Sequence, residues 1–305
     1  MSLISPMSLD VLLEKKYPPV DWIWEGFIAR GDFVLLAGEP KIGKSLVVFL
    51  MSVLVARGEG FASLKAPYFR KVLYIDAEMS GQTYQERLKR FDDKPNKKNV
   101  NFLYENCIDS EAYFQLTDPN HQEDLLKTMD ELSTEVLILD NLFSLAQIDD
   151  YNKPNEYLEK LKPFVFACRQ RNITCILIDH LNKSGEVFGS QGKVINVDLV
   201  LKLIKSEGVY KLDVERARRM LTCGEIAFTV SDDNQIAEAE WEGETSPLQF
   251  RTWMENNYPK FYPTKYPNKG DAVEAMYKNY EQRYSVKPNI SQQSYLNNYA
   301  KKWQK

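Results

Sequence analysis

Short apolar runs alternate along the chain with longer segments in which apolar residues recur every three or four positions. The runs predict strands that are buried on both faces and so need no polar side. The recurring segments predict helices with one apolar face, except 45–56, which is apolar nearly all round. The predicted strands are 33–38, 71–78, 99–105, 135–140, 174–180, 197–204, 209–218 and 225–232, and the predicted helices are 9–16, 45–56, 80–91, 121–133, 155–172, 270–284 and 291–303.

Strands that alternate with helices predict an α/β fold, because each strand–helix–strand unit places its two strands parallel in one sheet. We therefore expect a mainly parallel central sheet flanked by helices, with antiparallel strands at its end. Composition changes at residues 243–247, whose sequence GETSP is typical of a linker. The chain then divides into an N-terminal segment (1–30), an α/β core (31–243) and a small, mostly helical C-terminal module (248–305).

The net charge of −4 conceals an asymmetry between the two parts of the chain. Residues 251–305 carry ten Lys or Arg against four Asp or Glu, together with eleven aromatic residues, whereas residues 1–250 carry a net charge of −10. Cations interleaved with aromatic side chains suit single-stranded nucleic acid. Four amides of the module could instead read base edges from a helix-turn-helix or winged helix: Gln292, Gln293, Asn297 and Asn298. The aromatics would equally build the module's own core, and docking on a neighbouring subunit or a primase also stays open.

The sequence shows no pattern for export or membrane insertion. No apolar run approaches the roughly 20 residues of a membrane-spanning helix, and the first residues lack the basic and apolar blocks of a signal peptide. A cytoplasmic protein is therefore expected. The cysteines lack metal-ligand spacing and predict buried free thiols at Cys107, Cys168, Cys175 and Cys223.

One apolar stretch is interrupted by glycine, proline and lysine where residues 38–45 read GEPKIGKS. A plain turn between core elements is one explanation. The residues also match the phosphate-binding pattern G-x-x-x-x-G-K-[ST], and they lie between a predicted strand and a predicted helix, as that pattern requires. Glycines let the backbone wrap a phosphate, and the helix directs its positive dipole end at the same anion. The residues expected to bind ATP are Gly38, Glu39, Pro40, Lys41, Ile42, Gly43, Lys44, Ser45 and Leu46.

Within this P-loop two side chains have distinct expected roles. Lys44 would reach the β- and γ-phosphates, and the hydroxyl of Ser45 would bind Mg²⁺. A carboxylate at the tip of a neighbouring strand should support the metal. Asp140 has that place after four apolar residues, although Asp179 is a rival and strand-end acids often cap the next element.

Hydrolysis also needs a group that orients the attacking water, and Glu78 is the candidate. It ends the predicted strand that follows the P-loop helix, and Asp76 lies two residues earlier on the expected same face. The alternative is that Glu78 only favours the N-terminus of the helix that begins near Ser80.

Five elements together resemble the RecA-like ATPases, and specifically the RepA-type replicative helicases of the DnaB-like superfamily. The resemblance covers residues 20–232 in the expected order. It implies a RecA-like P-loop core, ATP and Mg²⁺ as cofactors, and a homo-oligomer, expected to be a hexamer. The matching runs are WEGFIARGDFVLLAGEPKIGKS, VLYIDAEMSGQTYQERL, LILDNLFSLAQIDDYN, ILIDHLNKSGEVFGSQGKVINVDLVLKL and LDVERARRM.

The resemblance also implies roles for individual residues by position. Glu78 would polarise the water, and Asp140 would support the metal. His180 would sense the γ-phosphate and signal to the loop 182–196, although a strand-end histidine with a local hydrogen bond is the plainer alternative. Nucleic acid would meet this loop through Lys183 and Lys193.

The same resemblance implies an arginine that reaches the nucleotide of the neighbouring subunit. Arg218 is the first candidate, Arg216 the second and Arg219 the third. Such an arginine neutralises charge that develops on the γ-phosphate, which requires a ring of subunits. A solvated basic edge strand is the alternative.

The leading functional hypothesis is an ATP-hydrolysing, single-stranded-DNA-dependent motor, a ring-forming replicative DNA helicase of a plasmid, phage or mobile element. One alternative is a RecA- or KaiC-like recombination or regulatory ATPase. Another is an ATP-dependent scaffold or loader that recruits partners, such as a primase, without unwinding DNA. Glu78 and Arg218 argue against a pure scaffold, because nucleotide binding alone needs neither.

Overall fold

A computed structural model of the chain describes residues 6–91, 99–103, 114–146, 154–181, 197–219, 226–240, 253–254, 257–262, 265–284 and 291–298. Its strands are β1 (Trp22–Trp24), β2 (Ile28–Ala29), β3 (Phe33–Gly38), β4 (Val72–Asp76), β5 (Val100–Leu103), β6 (Val136–Asp140), β7 (Thr174–His180), β8 (Leu199–Ser206), β9 (Val209–Ala217), β10 (Ile226–Val230) and β11 (Ile236–Glu238). Its α-helices are α1 (Leu9–Glu14), α2 (Lys44–Arg57), α3 (Gly81–Phe91), α4 (Pro119–Leu132), α5 (Leu142–Leu145), α6 (Pro154–Gln170), α7 (Lys269–Tyr284) and α8 (Gln292–Asn298).

The central sheet has the strand order β11-β10-β9-β8-β3-β7-β6-β4-β5. Six neighbouring strands from β8 to β5 run parallel, whereas β9, β10 and β11 continue the sheet antiparallel. This arrangement confirms the predicted α/β fold with a mainly parallel sheet and late antiparallel strands. The crossovers between parallel strands place helices over the sheet, so the inner strands β3, β4, β6 and β7 are buried along nearly their whole length. Strands β5 and β8 are partly exposed.

Two apolar layers cover the two faces of the sheet. Helix α2 packs in one layer on alternate strand residues such as Val34 and Leu36, and it buries nearly every side chain from Val47 to Ala56. The other layer joins α4 and α6 to the opposite strand positions, including Phe33 and Leu35. A helix apolar on nearly all sides was expected for 45–56, and the helix lies in an apolar cluster that includes residues outside the sheet, such as Trp24 and Phe61.

Three elements have no counterpart in the predicted pattern. The β1–β2 hairpin is too short to establish a period, and α5 is a single turn capped by Asn141. Strand β11 is a three-residue edge strand next to β10. Helix α6 contains Pro163 and continues through it to Gln170.

The C-terminal module has its own apolar cluster, built from residues of 253–296. Four tyrosines are buried in it, and Tyr277 meets Tyr295 edge to face with ring centroids 6.5 Å apart, which joins α7 to α8. The burial of Tyr262, Tyr277, Tyr280 and Tyr295 favours the core-forming alternative for these aromatics over a stacking surface. The limits of the three proposed domains stay predictions, and the linker 243–247 lies outside the described residues.

Two of the predicted free thiols lie in the described core. Cys168 and Cys175 are buried and free, as expected, and burial raises the pKa of the Cys175 thiol. Cys107 and Cys223 lie outside the described residues. Within the described ranges, no helix combines the length and apolar character needed to cross a membrane.

Candidate nucleotide-binding site

The residues of the predicted P-loop, the candidate carboxylates and His180 stand at one edge of the sheet, where four parallel strands end. Gly38 of β3 pairs with His180 of β7, and Asp76 of β4 pairs with Asp140 of β6. Because parallel strands share a direction, all four carboxyl ends open on the same crevice. The fold therefore brings together groups that are spread from residue 38 to residue 180 of the chain.

The P-loop turns tightly between β3 and α2. Gly43 directly precedes α2 and has a φ of 105°, a backbone conformation that residues other than glycine rarely adopt. A β-carbon there would also lie 3.2 Å from the hydroxyl of Tyr210 on β9. At Gly38 a β-carbon would lie 3.1 Å from the carbonyl oxygen of Leu203. The cradle is thus packed closely against β8 and β9, and the first turn of α2 points its dipole into it.

Lys44 is buried and folded back over the cradle. Its Nζ donates to the carbonyl oxygens of Gly38 and Glu39, both at 2.9 Å, and lies 3.2 Å from Nδ1 of His180. Burial lowers the pKa of Lys44, while the charges of Asp140, Asp179 and Glu78 oppose that shift. An ammonium group in this position can exchange its carbonyl partners for phosphate oxygens.

Asp140 meets the P-loop directly. Its Oδ1 accepts from the Ser45 hydroxyl at 3.1 Å, and its Oδ2 accepts from the Tyr74 hydroxyl at 2.7 Å. Burial and the nearby charge of Asp76 raise the pKa of Asp140 to about 6. The rival Asp179 is also buried but accepts the backbone N–H of His180 at 2.8 Å. The Ser45 contact favours Asp140 as the acid beside the metal, although the roles of both stay predictions.

Glu78 lies on a turn that Asp76 organises. One carboxylate oxygen of Asp76 accepts the backbone N–H groups of Glu78 and Met79, both at 2.6 Å, and the other accepts the Tyr84 hydroxyl. Burial raises the pKa of Asp76. Asp76 is buried, and these contacts fix the backbone of the turn that carries Glu78. The expectation that Asp76 and Glu78 face one side stays a prediction.

The Glu78 carboxylate is itself held by two donors from the next strand end. Its Oε1 accepts from Nδ2 of Asn141 at 2.6 Å and from the Ser144 hydroxyl at 2.9 Å. The same Asn141 nitrogen lies 3.4 Å from Nε2 of His180, whose other ring nitrogen faces Lys44. These contacts link the expected water-polarising residue, the expected sensor and the P-loop lysine.

The expected finger arginines lie at the opposite edge of the sheet. Ala217 pairs with Leu199 at the start of β8, so Arg218 stands near the amino ends of the parallel strands. Its guanidinium approaches Asp198 at 3.4 Å, and Arg219 approaches Asp32 at 3.0 Å. Arg216 is an exposed residue of β9. None of the three belongs to the P-loop edge of its own subunit, and Lys183 and Lys193 lie outside the described residues.

Sequence reasoning missed four residues that shape the site: Tyr74, Tyr84, Asn141 and Tyr210. A tyrosine in a buried strand needs a partner for its hydroxyl, so Tyr74 within VLYID carried a usable signal. The other three depend on contacts between different elements of the fold, which a local pattern does not reveal.

The donor set suits a nucleotide with Mg²⁺. A serine hydroxyl and a carboxylate are the oxygen ligands that Mg²⁺ prefers, and a buried ammonium with a helix N-terminus suits phosphate. Among the described residues, no group of three or more His, Cys, Asp or Glu could hold a metal ion. Mg²⁺ beside Ser45 and Asp140 would also take phosphate oxygens as ligands and would neutralise phosphate charge. The chain's own Lys44 would hold the phosphates, and Glu78 would orient the water.

Replacing Lys44 with alanine should weaken ATP binding by about 10- to 100-fold, because a hydrogen bond to a charged group contributes about 1.5–3 kcal/mol. Titration with a fluorescent ATP analogue measures the loss. Lys65→Ala, a change at an exposed lysine outside the P-loop, is the matched control and should bind normally. Undiminished binding by Lys44→Ala would remove the P-loop interpretation.

Replacing Asp140 with asparagine should stabilise the nucleotide-free protein at pH 8. The folded-state pKa of about 6 exceeds the ordinary value of 3.8, so ionisation costs folding free energy. Proton binding to this carboxyl stabilises the folded state. That stabilisation is present in full below a pH of about 4 and is lost as the pH rises through 6. The cost at pH 8 is at most about 3 kcal/mol, and the asparagine variant avoids it.

The melting temperature of the asparagine variant should therefore exceed that of the parent at pH 8, and the difference should shrink toward pH 5. Asp232→Asn, at an exposed position, controls for the loss of one surface charge. A variant that melts below the parent at pH 8 would contradict the assigned cost of burying this carboxylate.

Comparisons with known proteins agree with this geometry. The model of the AAA domain family matches residues 4–186, more than half of the chain. A DNA repair protein RadA of Aquifex aeolicus is 25% identical over 217 residues, covering 70% of this chain and 43% of that protein. The RadA protein of Chlamydia trachomatis is 28% identical over 180 residues, covering 58% and 34%. The chain thus spans less than half the length of these relatives.

A solved structure shows the same fold at lower identity. The KaiC-like protein of Pyrococcus horikoshii superposes with a TM-score of 0.51 and 14% identity, and the match covers 70% of this chain and 92% of that one. This likeness concerns the fold alone. Together with the family match and the P-loop geometry, it identifies the coarse class of the protein. The chain belongs to the AAA domain family and is a RecA-like P-loop ATPase.

Proposed function

We propose that the protein couples ATP hydrolysis to work on DNA in recombination, repair or its regulation. The observation that carries the hydrolytic part is the convergence of Lys44, Asp140 and Glu78 on one edge of the sheet. Nucleotide binding alone would not require a carboxylate held by two donors beside the cradle. The Glu78 carboxylate is therefore the general base candidate that orients water for attack on the γ-phosphate.

The DNA part of the proposal rests on the relatives. Both relatives named above are called DNA repair proteins, and the solved neighbour is KaiC-like. They support a recombination or regulatory ATPase better than the narrower hypothesis of a replicative helicase. Contacts to single-stranded DNA are proposed for the loop 182–196 with Lys183 and Lys193.

An assembly of identical subunits is part of the same proposal. Arg218 is level with the start of β3, whereas the cradle follows the end of β3 at Gly38. At a rise of about 3.3 Å per residue, five residues separate the two levels by about 16 Å along the strands. Arg218 cannot cross that distance within one subunit, so a catalytic role for it requires a second copy, and a hexameric ring is one arrangement.

Single-stranded DNA should stimulate steady-state ATP hydrolysis, and the stimulation should fade between low and moderate salt because phosphate contacts release counterions. Hydrolysis assays with and without a single-stranded oligonucleotide measure this. Hydrolysis that ignores DNA at every salt concentration would favour a regulatory or scaffold role instead. Strand-displacement assays then separate a helicase, which unwinds, from a recombination ATPase, which binds and hydrolyses only.

Mixing two variants that each hydrolyse ATP only at a residual rate should restore part of the hydrolysis. Arg218→Ala lacks the proposed finger and Glu78→Gln lacks the water-orienting carboxylate, so a mixed interface can combine an intact cradle with an intact finger. Activity is measured as the ratio of the two variants is changed. Arg90→Ala, at an exposed position of α3, replaces Arg218→Ala in the control mixture. The absence of recovery at any ratio would argue against an arginine acting between subunits.

A further inference from the structure

We propose that Asn141 is a positioning residue for hydrolysis, which aligns Glu78 and couples it to His180. This inference rests on the proposed ATPase function. Asn141 directly follows Asp140 at the end of β6 and is 3% exposed. Its side-chain amide contacts both Glu78 and His180.

The side chain of Asn141 uses its two ends for different purposes. Its Oδ1 accepts the backbone N–H of Ser144 at 2.9 Å and so caps the single turn α5. Its Nδ2 donates to Oε1 of Glu78 at 2.6 Å. An asparagine amide has two donors and an acceptor, so one residue can fix a helix end and a carboxylate together.

Glu78 is exposed, and exposed glutamates ordinarily sample many rotamers. Here two donors, Asn141 and Ser144, both bind Oε1. Fixing one carboxylate oxygen sets the direction of the other, and Oε2 then becomes the oxygen that orients water. Ser144 belongs to the turn that Asn141 caps, so the cap and the carboxylate are held as one unit.

The link to His180 adds a connection to the nucleotide. Nε2 of His180 lies 3.4 Å from the Asn141 amide, while Nδ1 lies 3.2 Å from Lys44. Both ring nitrogens thus face a donor, although a neutral imidazole accepts at only one of them. If Lys44 turns toward phosphate, Nδ1 loses its donor and Nε2 can accept from Asn141. Binding of phosphate to Lys44 would then change the hydrogen bonding of the Asn141 amide, which also holds Glu78.

Cap-preserving substitutions separate positioning from a merely structural role. Aspartate, serine and asparagine cap helices about equally well. Asn141→Ser and Asn141→Asp therefore retain the cap acceptor but lack the amide donor. We expect both to lower kcat by about 100-fold, the lower range of what a positioned general base contributes, with ATP affinity unchanged. Ser144→Ala keeps the capped backbone N–H, loses only the hydroxyl donor, and should lower kcat by about tenfold.

The matched control exchanges a cap elsewhere. Asp118 caps α4 in the same manner, accepting from the backbone N–H of Asn120, and Asp118→Ser should leave kcat unchanged. Normal kcat in both cap-preserving Asn141 variants would overturn the proposal, because capping alone would then explain the residue. In a Glu78→Gln background the Asn141 substitutions should slow hydrolysis no further, and an additional loss would equally count against the pairing.

A second measurement does not depend on hydrolysis. In protein labelled with ¹⁵N-asparagine, the Asn141 side-chain amide resonance, assigned from its disappearance in Asn141→Ser, should move in Glu78→Gln and in Ser144→Ala. An unmoved resonance would overturn the proposed contact. If the parent protein lacks ATPase activity and the resonance still moves in these variants, the proposed function would be wrong and the contact would still be supported.

Discussion

Everything at the site depends on the parallel pairing of β3, β7, β6 and β4, which ends all four strands at one edge. Hydrogen bonding between parallel strands fixes their register, and the register sets Gly38 against His180 and Asp76 against Asp140. A shift of one residue in any pair would turn its side chains to the other face of the sheet. The two apolar layers prevent that shift, because each layer needs its own alternate set of strand residues. Packing of the core thus fixes which residues face one another at the nucleotide-binding edge.

The edge concentrates charges that the core would otherwise exclude. Asp76, Asp140 and Lys44 are all buried, and burial moves the pKa of each acid up and that of the lysine down. Each charge is retained by hydrogen bonds: tyrosine and serine hydroxyls for the acids, carbonyl oxygens for the lysine. The hydroxyl donors favour the charged form of the two acids, and the hydrogen bonds orient all three groups. A phosphate and a metal ion would thus enter a site that needs little rearrangement.

Much of this fold was predictable, since strands such as 33–38 and 174–180 are continuous apolar runs with clear limits. The P-loop was predictable because its pattern is local and its chemistry demands particular residue types. Asn141 was not, because its value lies in two partners, Glu78 and His180, that are distant in sequence. The contacts of Asp76 were not predictable either, since alternation along a strand stops predicting direction once the strand ends. Local physics therefore specified the elements, whereas tertiary register decided which polar side chains meet.

The contact between Gly43 and Tyr210 makes the antiparallel part of the sheet a wall of the nucleotide site. The Tyr210 ring is stacked on Phe228 of β10, and its hydroxyl accepts from Lys205 at 2.8 Å. The P-loop backbone is thus packed against Tyr210, which lies on β9 and is distant from the P-loop in sequence. Because the backbone conformation at position 43 requires glycine, the packing constraint falls on position 210. A bulkier residue at 210 would crowd the phosphate loop, and a smaller one would leave it unsupported.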